Sequence, residues 1–416
     1  MSKLIFHVDV NSAYLSFEAA YRLQRGEALD LREIPSVIGG DEESRHGIVL
    51  AKSIPAKKYN IKTGETLYSA RSKCEKLVII PPRYWLYIKC SLAMDKIFTE
   101  YTPSIQRFSI DESFLDFTGM ENHYKDYMKL AEKIKERIKD ELGFTVNIGI
   151  SCNKLLAKVA SDFKKPDRIH TLFPEEIEKK MWPLKVEDLF MVGRSTAHKL
   201  HSLNISTIGE LAKYDVKILR DKLKSQGQLI WNYANGIDYS EVKKNDYMDM
   251  QGIGNSTTMA FDVEDRKEVH KILLSLCETV SMRLRNSKNC CTVVSINVRG
   301  SDFNSYSRQK KIKTATDSTR KIYEIACNLF DDSWRGNKIR KLGVRITGFC
   351  SNDFYQPCFL DEFDYDKDKK INEVIDKIRL KYGAYSVIRS CFLNSGLNPI
   401  CGGVSEEDYP LMSSTL

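Results

Sequence analysis

The sequence predicts an α+β fold in which helices cover one face of a largely antiparallel sheet. Strand-like runs occur at residues 4–9, 107–117 and 145–150, where apolar or alternating side chains suit a pleated surface. Between these runs, apolar residues recur at helical spacing, as in residues 127–138, and charged neighbours mark a solvated face. Strands and helices that alternate in this way favour a sheet with helices packed against it.

The elements follow one another along the whole chain. Apolar runs bounded by turn residues predict strands at residues 4–9, 37–38, 47–51, 77–82, 107–117, 145–150, 292–299, 310–316 and 342–349. Apolar residues at helical spacing predict helices at residues 12–25, 84–101, 127–138, 155–163, 269–285 and 371–382. Glycines 39 and 40 read as the turn between two of the strands.

Composition sets broad limits on this protein. Its 416 residues are enough for two to four domains, and 64 basic against 56 acidic residues give a net charge of +8. That balance is compatible with a polyanionic partner and equally with an ordinary soluble protein. Eleven cysteines without a Cys-x-x-Cys pair argue for reduced thiols rather than a disulfide framework or a zinc site. The sequence shows no signal peptide and no apolar run of membrane-spanning length, so we expect a cytoplasmic protein that does not enter membranes.

Three acids carry the chemistry that the sequence predicts. Asp111 and Glu112 are adjacent between two strand-like runs, and Asp9 ends an apolar strand. Side chains alternate along a strand, so Asp111 and Glu112 can point the same way only if the chain bends between them. A polar turn would explain that pair taken alone. If the first strand lies beside the hairpin, however, three carboxylates converge on a site for hard cations such as magnesium.

The motifs around these acids resemble those of Y-family translesion DNA polymerases of the DNA polymerase IV type. Residues 7–11, His-Val-Asp-Val-Asn, resemble the family's first metal motif, and residues 109–116 resemble the second. Residues 149–161 and Lys164-Lys165-Pro166 resemble the end of the family's palm domain. The resemblance covers nearly the whole chain and weakens after about residue 350.

This resemblance implies a right-hand polymerase fold. The palm, ferredoxin-like, would comprise residues 1–12 and 74–170, and the small fingers residues 13–73. The helical thumb, with a helix-hairpin-helix, would span residues 171–240, and the α+β little finger residues 241–351. A tail over residues 352–416 would follow.

The implied reaction is template-directed addition of deoxynucleotides to a primer by two-metal phosphoryl transfer, with low-fidelity bypass of damaged bases. Asp9, Asp111 and Glu112 would be catalytic, and with the carbonyl of Val10 they would bind two Mg²⁺ ions. We expect Tyr14 to be the aromatic gate that excludes a ribose 2′-hydroxyl. Further nucleotide contacts are expected from Asn11, Ser12, Ala13, Ser53, Lys57 and Lys165. Ile54 departs from the family, which commonly has Tyr there, and Lys57 stands where Arg is more usual.

The remaining contacts concern DNA and a protein partner. Val192 and Gly193 lie in a possible helix-hairpin-helix that would contact a phosphate through backbone N–H groups, although an ordinary helical pair turning on Gly193 fits equally well. In the little finger, Arg299, Arg308, Lys310 and Arg345 are candidate DNA contacts. Gln356, Phe359 and Leu360 resemble a sliding-clamp-binding peptide, with packing on the chain's own little finger as the alternative. We expect the polymerase to act as a monomer.

Two other functions remain to be weighed. Residues 39–43, Gly-Gly-Asp-Glu-Glu, suggest the signature of diguanylate cyclases, which use a related palm and two metals. That signature forms the site hairpin in the cyclases, whereas here the strand-flanked hairpin is at residues 111–112. A non-catalytic DNA-binding relative would lack one of the three acids, and all three are present.

Overall fold

The computed structural model describes residues 3–43, 45–243, 250–352 and 365–401. These residues form two compact units. Residues 3–39 and 49–243 belong to the first unit, and the remaining described residues belong to the second. No helix in the described ranges is both long and apolar enough to cross a membrane.

The first unit contains a five-stranded sheet, a three-stranded sheet and a helical segment. Its elements in chain order are β1 (Ile5–Val10), α1 (Ala13–Gln24), β2 (Ser36–Gly39), β3 (Val49–Lys52), α2 (Ile54–Lys57), α3 (Leu67–Lys73), β4 (Val78–Ile80), α4 (Tyr84–Thr99), β5 (Ile105–Arg107), β6 (Glu112–Asp116), α5 (Tyr127–Leu142), β7 (Val146–Ser151), α6 (Lys154–Ser161), β8 (Ile169–Thr171), α7 (Ile177–Lys180), α8 (Arg194–His201), α9 (Ile208–Lys213), α10 (Val216–Leu223) and α11 (Ser225–Ala234).

The five-stranded sheet has the order β5-β6-β1-β7-β8. Its neighbours are antiparallel except for β7 and β8, which run parallel. Along β1, Phe6, Val8 and Val10 enter a core shared with α4 and α5. The alternate residues, including His7 and Asp9, therefore face the other side of the sheet, where α6 packs. This face carries the candidate site.

Helix α6 lies unusually close to the sheet because of one glycine in β7. A Cβ atom on Gly149 would lie only 1.9 Å from the carbonyl oxygen of Ala157 in α6, so a larger residue there would push the helix away. Asn153 caps the helix by accepting a hydrogen bond from the backbone N–H of Leu156. The sequence thus fixes both the start of α6 and its distance from the sheet.

The three-stranded sheet, of order β3-β2-β4, forms the predicted fingers together with α2 and α3. Strands β2 and β3 are antiparallel, which agrees with the predicted turn between them, whereas β2 and β4 are parallel. Residues 172–234 form the helices of the predicted thumb around a separate core. That core also includes Leu155, Leu156 and Val159 of α6, so α6 packs against both the five-stranded sheet and the thumb helices.

The second unit is built on a four-stranded antiparallel sheet of order β11-β10-β12-β9. Its elements are β9 (Gly252–Val263), α12 (Arg266–Asn286), β10 (Asn289–Gly300), β11 (Ser305–Thr316), α13 (Thr319–Ser333), β12 (Ile339–Ser351) and α14 (Tyr365–Tyr382). Helices α12 and α13 cover one face, with Val294, Ile296 and Val298 of β10 in the shared core. Strand β9 and helix α13 had not been predicted from the sequence.

The described part of the tail packs against α12 through charged side chains, most of which are buried. Glu278 of α12 accepts hydrogen bonds from Arg379 at 2.6 Å and from Arg389 at 2.5 Å. Arg285 forms a second ion pair with Asp376 of α14 at 2.6 Å. These contacts hold residues 365–401 against α12. The predicted boundaries of palm, fingers, thumb, little finger and tail remain predictions.

Candidate catalytic site

The antiparallel pairing of β1 and β6 gathers the three predicted acids. The register places Asp9 directly opposite Glu112, so both side chains lie on the face of the sheet that α6 covers. Asp111 comes just before β6, and its carbonyl oxygen accepts a hydrogen bond from the N–H of Val10 at 3.0 Å. The bend expected between Asp111 and Glu112 is the point where the loop after β5 becomes a strand.

Two lysines bond to these carboxylates. Lys165 Nζ lies 2.6 Å from Asp9 Oδ2 and 2.8 Å from Asp162 Oδ1. Lys158 Nζ donates to Glu112 Oε2 at 2.7 Å. The hydroxyl of Ser109 donates to Asp111 Oδ1 at 2.5 Å. Each acid therefore has a donor within hydrogen-bonding distance.

His7 lies beneath Glu112 and is completely buried. The Ser161 hydroxyl lies 2.7 Å from His7 Nδ1 and also donates to the carbonyl of Lys158. Nε2 lies 3.8 Å from Glu112 Oε2, too far for a hydrogen bond. Burial lowers the pKa of His7, which keeps the ring neutral. Lys158 is accordingly the cation that contacts Glu112.

The three acids differ in their affinity for protons. Burial raises the pKa of Asp9 to about 7, with Lys165 opposing the shift and the charges of Glu112 and Asp111 adding to it. Burial also raises the pKa of Asp111. Burial acts in the same direction on Glu112, but with His7 neutral it is the charged Lys158, 2.7 Å away, that opposes burial and lowers the pKa of Glu112. Keeping neighbouring buried carboxylates ionised costs free energy, and a bound cation would offset that cost.

The chemistry of the donor set fits a hard cation such as Mg²⁺. Three carboxylates and the backbone around Val10 offer oxygen atoms only, and no sulfur ligand is nearby in these motifs. The buried Oδ1 atom of Asn11 has no hydrogen-bond partner among the described residues. Within the same ranges, no three His, Cys, Asp or Glu side chains already form a coordinating group. Lys165 bonds to one carboxylate oxygen of Asp9 and Lys158 to one of Glu112, so the other oxygen of each acid remains for a cation.

Tyr14 lies in a group of aromatic rings at the start of α1. Its ring stacks on Tyr87 with 4.5 Å between centroids and 12° between planes. Tyr84 meets it edge-on at 6.1 Å. Tyr87 is completely buried, so it supports the Tyr14 ring from behind. The preceding residue, Ala13, is buried, and Ser12 has a left-handed backbone with φ of 51°.

Asn11 and Ser53 already make structural contacts. The Asn11 side-chain amide donates to the hydroxyl of Thr145 at 3.2 Å. The Ser53 hydroxyl donates to the carbonyl of Ile34 and accepts from the N–H groups of Ser36 and Ala56. A nucleotide contact through the Ser53 hydroxyl would compete with these bonds, since the residue joins β2 to α2.

Lys57 and Ile54 both lie exposed on α2, away from the contacts that join the acids. Neither residue is part of the hydrogen-bonded group around Asp9 and Glu112. The structure thus brings Lys165 to the acids and leaves Lys57 on the fingers surface.

In the thumb, Val192 and Gly193 come directly before α8. Val192 is buried, whereas Gly193 is exposed and an added Cβ would meet open space. The first helix of the predicted helix-hairpin-helix is a short 3₁₀ turn at Val186–Asp188. The exposed N-terminus of α8 offers the backbone N–H groups on which the prediction depends.

The four basic residues predicted in the little finger divide between the two faces of its sheet. Arg299 and Arg345 alternate with buried residues and lie on the face that the helices leave open. Arg308 and Lys310 pair with Ile296 and Val294, which point into the core. Because β11 is an edge strand, Arg308 and Lys310 nevertheless remain exposed. Gln356, Phe359 and Leu360 lie outside the described residues.

Sequence reasoning did not assign a role to His7, Lys158 or Tyr87. Lys158 was visible in the motif of residues 149–161, and an apolar strand interrupted by His7 was a further signal. Neither signal indicates the partner, because Lys158 and Glu112 are 46 residues apart in the chain. Tyr87 lies in an aromatic helix whose inner face could not be paired with Tyr14 without the structure.

Comparisons with known proteins give consistent matches. A family model described as the impB/mucB/samB family matches residues 8–162, and the model of its C-terminal domain matches residues 250–357. A model described as the thumb domain of DNA polymerase-iota matches residues 187–238. The chain is 51% identical over 398 residues to DNA polymerase IV of Clostridium acetobutylicum, which covers 94% of this chain and 99% of that protein.

Two further matches extend this result. The chain is 37% identical over 405 residues to DNA polymerase IV of Acetivibrio thermocellus, covering 96% of this chain and 100% of the relative. A solved structure of a Y-family DNA polymerase chimera matches with a TM-score of 0.72 at 20% sequence identity. It covers 84% of this chain and 100% of the chimera, which shows that the fold is shared.

Proposed function

The chain belongs to the Y-family DNA polymerases of the DNA polymerase IV type, and from this premise we propose that Asp9, Asp111 and Glu112 form the two-metal centre of a lesion-bypass enzyme. It is a metal-dependent, template-directed DNA polymerase that uses DNA and deoxynucleoside triphosphates. The observation that carries the proposal is the register that sets Asp9 opposite Glu112, with Asp111 at the same edge.

The acids and the carbonyl of Val10 would hold two Mg²⁺ ions. When bound, they would favour deprotonation of the primer hydroxyl and stabilise charge on the leaving phosphate. The chain itself fixes the donors: β1 and β6 set the separation of Asp9 and Glu112, and the N–H of Val10 holds the backbone of Asp111. The 2.7 Å contact with Lys158 favours the ionised form of Glu112, which suits a carboxylate that must bind a cation.

Lys165 is proposed to contact the triphosphate. It bonds to Asp9 and Asp162, and its side chain is one-third exposed, so a phosphate oxygen could replace the carboxylate as its partner. Burial acts to lower the pKa of Lys165, but the charges of Asp9 and Asp162 outweigh it and raise the pKa, so the lysine stays charged at every working pH. Lys57 would supply a second charge from the fingers, as a point charge rather than a bidentate contact.

Tyr14 is proposed to exclude ribonucleotides. A ribose 2′-hydroxyl would meet its ring, and Tyr87 behind the ring limits its movement. Asn11, Ser12 and Ala13 would line the same side of the nucleotide through the turn between β1 and α1. The small three-stranded fingers would contact the new base pair sparingly, which favours bypass of damaged templates at low fidelity.

DNA would contact the thumb and the little finger mainly through phosphates. The N-terminus of α8 at Gly193 would bind one phosphate by backbone N–H groups. Arg299 and Arg345 would line the open face of the little-finger sheet, with Arg308 and Lys310 at its edge. We also propose that the enzyme acts as a monomer in the cytoplasm and that Gln356, Phe359 and Leu360 bind a sliding clamp.

A primer-extension assay tests the proposal against the cyclase alternative. With Mg²⁺ and a primer–template, we expect extension from deoxynucleoside triphosphates and no cyclic dinucleotide from GTP alone. A cyclic product from GTP without primer extension would overturn the assignment.

A further inference from the structure

The side chain of Lys158 connects the catalytic loop with the thumb. It extends from α6 to Glu112 and is only 11% exposed. Its ammonium lies 4.8 Å from the ring centroid of Phe108 and 5.8 Å from that of Phe190. A cation between two aromatic rings and one carboxylate has little freedom to move.

The two rings belong to different parts of the first unit. Phe108 precedes Asp111 and Glu112 in the loop after β5, whereas Phe190 lies two residues before Val192 in the thumb segment that leads to α8. They meet nearly edge-on, with 6.1 Å between centroids. Phe190 is therefore a thumb residue that contacts both the loop before the acids and, through Lys158, Glu112 itself.

Helix α6, which carries Lys158, is packed on two sides. On the sheet side, Gly149 lets α6 approach β7 closely. On the thumb side, Leu155, Leu156 and Val159 of the same helix share the thumb core. A shift of the thumb segment would consequently act on α6 and on the Phe108–Phe190 contact together.

We propose that Lys158 is a positioning residue that orients Glu112. It would couple this orientation to the packing of Phe190, in the thumb, against Phe108 and Lys158. Duplex bound at Gly193 would hold the Phe190 segment, and the ammonium beneath it would hold one oxygen of Glu112 in place. This inference rests on the proposed function, since it assigns Glu112 to the metal centre. Groups that orient a metal ligand typically change activity about 10- to 100-fold when they are removed.

The variants that test this are Lys158→Met, which keeps the length of the side chain, and Lys158→Arg, which keeps the charge. We expect Lys158→Met to lower kcat about 10- to 100-fold with KM for the nucleotide and primer–template Kd nearly unchanged, and Lys158→Arg to recover part of the loss. The loss should be larger with Mg²⁺ than with Mn²⁺, because Mg²⁺ demands near-ideal geometry. Lys129→Met is the matched control, because that lysine lies on α5 with its side chain 87% exposed. Melting temperatures confirm that each variant folds.

Coupling to the thumb requires a second test. We expect Phe190→Leu to lower kcat less than Lys158→Met, and the double variant to be no worse than Lys158→Met alone. Crystal structures of the metal-free proteins give a readout apart from activity: Glu112 should be bonded to Lys158 in the wild type and displaced in Lys158→Met.

Three results would overturn the proposal: a Lys158→Met enzyme within about twofold of wild-type kcat, effects of the two variants that multiply, or an unmoved Glu112 in the Lys158→Met crystal. Failure of the wild type to extend a primer would instead overturn the proposed function, and the crystal comparison would still decide the role of Lys158.

Discussion

Replacing Tyr14 by Ala should weaken the discrimination between deoxynucleotides and ribonucleotides. The ring of Tyr14 is stacked 4.5 Å from the buried ring of Tyr87 and edged by Tyr84, so it cannot easily yield to an added hydroxyl. Forcing an extra group into a well-packed site costs about 1–3 kcal/mol. This energy corresponds to a discrimination of roughly 5- to 160-fold that Tyr14→Ala should remove.

The assay compares kcat/KM for dATP and ATP opposite a template thymine, in single-nucleotide reactions. Tyr14→Phe is the matched control, because it keeps the ring and loses only the hydroxyl, and it should discriminate as the wild type does. A Tyr14→Ala enzyme whose dATP-to-ATP ratio equals that of the wild type would refute the assignment of Tyr14 as the gate.

Three further predictions concern the triphosphate, the tail and a clamp. Lys165→Ala and Lys57→Ala should raise KM for the nucleotide more than Kd for primer–template, as measured by steady-state kinetics and fluorescence anisotropy; the reverse pattern would place both lysines on the DNA. Glu278→Gln should destabilise the second unit by about 3–5 kcal/mol in denaturant unfolding, because it leaves the buried Arg379 without its carboxylate partner. Burial acts to raise the pKa of Glu278, but Arg389 and Arg379 outweigh it and lower the pKa in the folded protein. The stabilisation that ionised Glu278 contributes is therefore present above the ordinary Glu pKa and is lost as pH falls through the folded pKa. A difference in unfolding free energy between wild type and Glu278→Gln that is the same at pH 7 and pH 3 would contradict this prediction. Clamp stimulation of extension should be lost, with clamp-free extension intact, when alanine replaces Gln356, Phe359 and Leu360.

The sequence was sufficient for the fold class and the family, and both predictions are confirmed by the comparisons. Short motifs with fixed spacing indicated Asp9, Asp111 and Glu112, because the chemistry requires acids at the ends of adjoining strands. The α+β pattern followed from hydrophobic periodicity in long elements such as α5 and α12. Strand β9 escaped prediction because its residues 254–256, Gly-Asn-Ser, are small or polar and have no strong strand preference.

Contacts between distant parts of the chain could not be read from the sequence. Lys158 meets Glu112, and Tyr87 supports Tyr14, only after the sheet and helices have packed. The basic residues of the little finger show the same limit: Arg299 and Arg308 look alike in sequence, but the strand register places one on the open face and the other beside core positions. The roles of the site residues and the domain boundaries stay predictions.

The central claim is that Asp9, Asp111 and Glu112 together hold the metal ions of a DNA polymerase. The most direct test is single-turnover extension by Asp111→Ala with Mg²⁺ and saturating nucleotide, alongside primer–template binding. Losing a metal ligand should cost several kcal/mol of transition-state stabilisation, so we expect extension to fall by at least about 100-fold with DNA affinity and melting temperature near those of the wild type. Near-normal extension by Asp111→Ala would contradict the account.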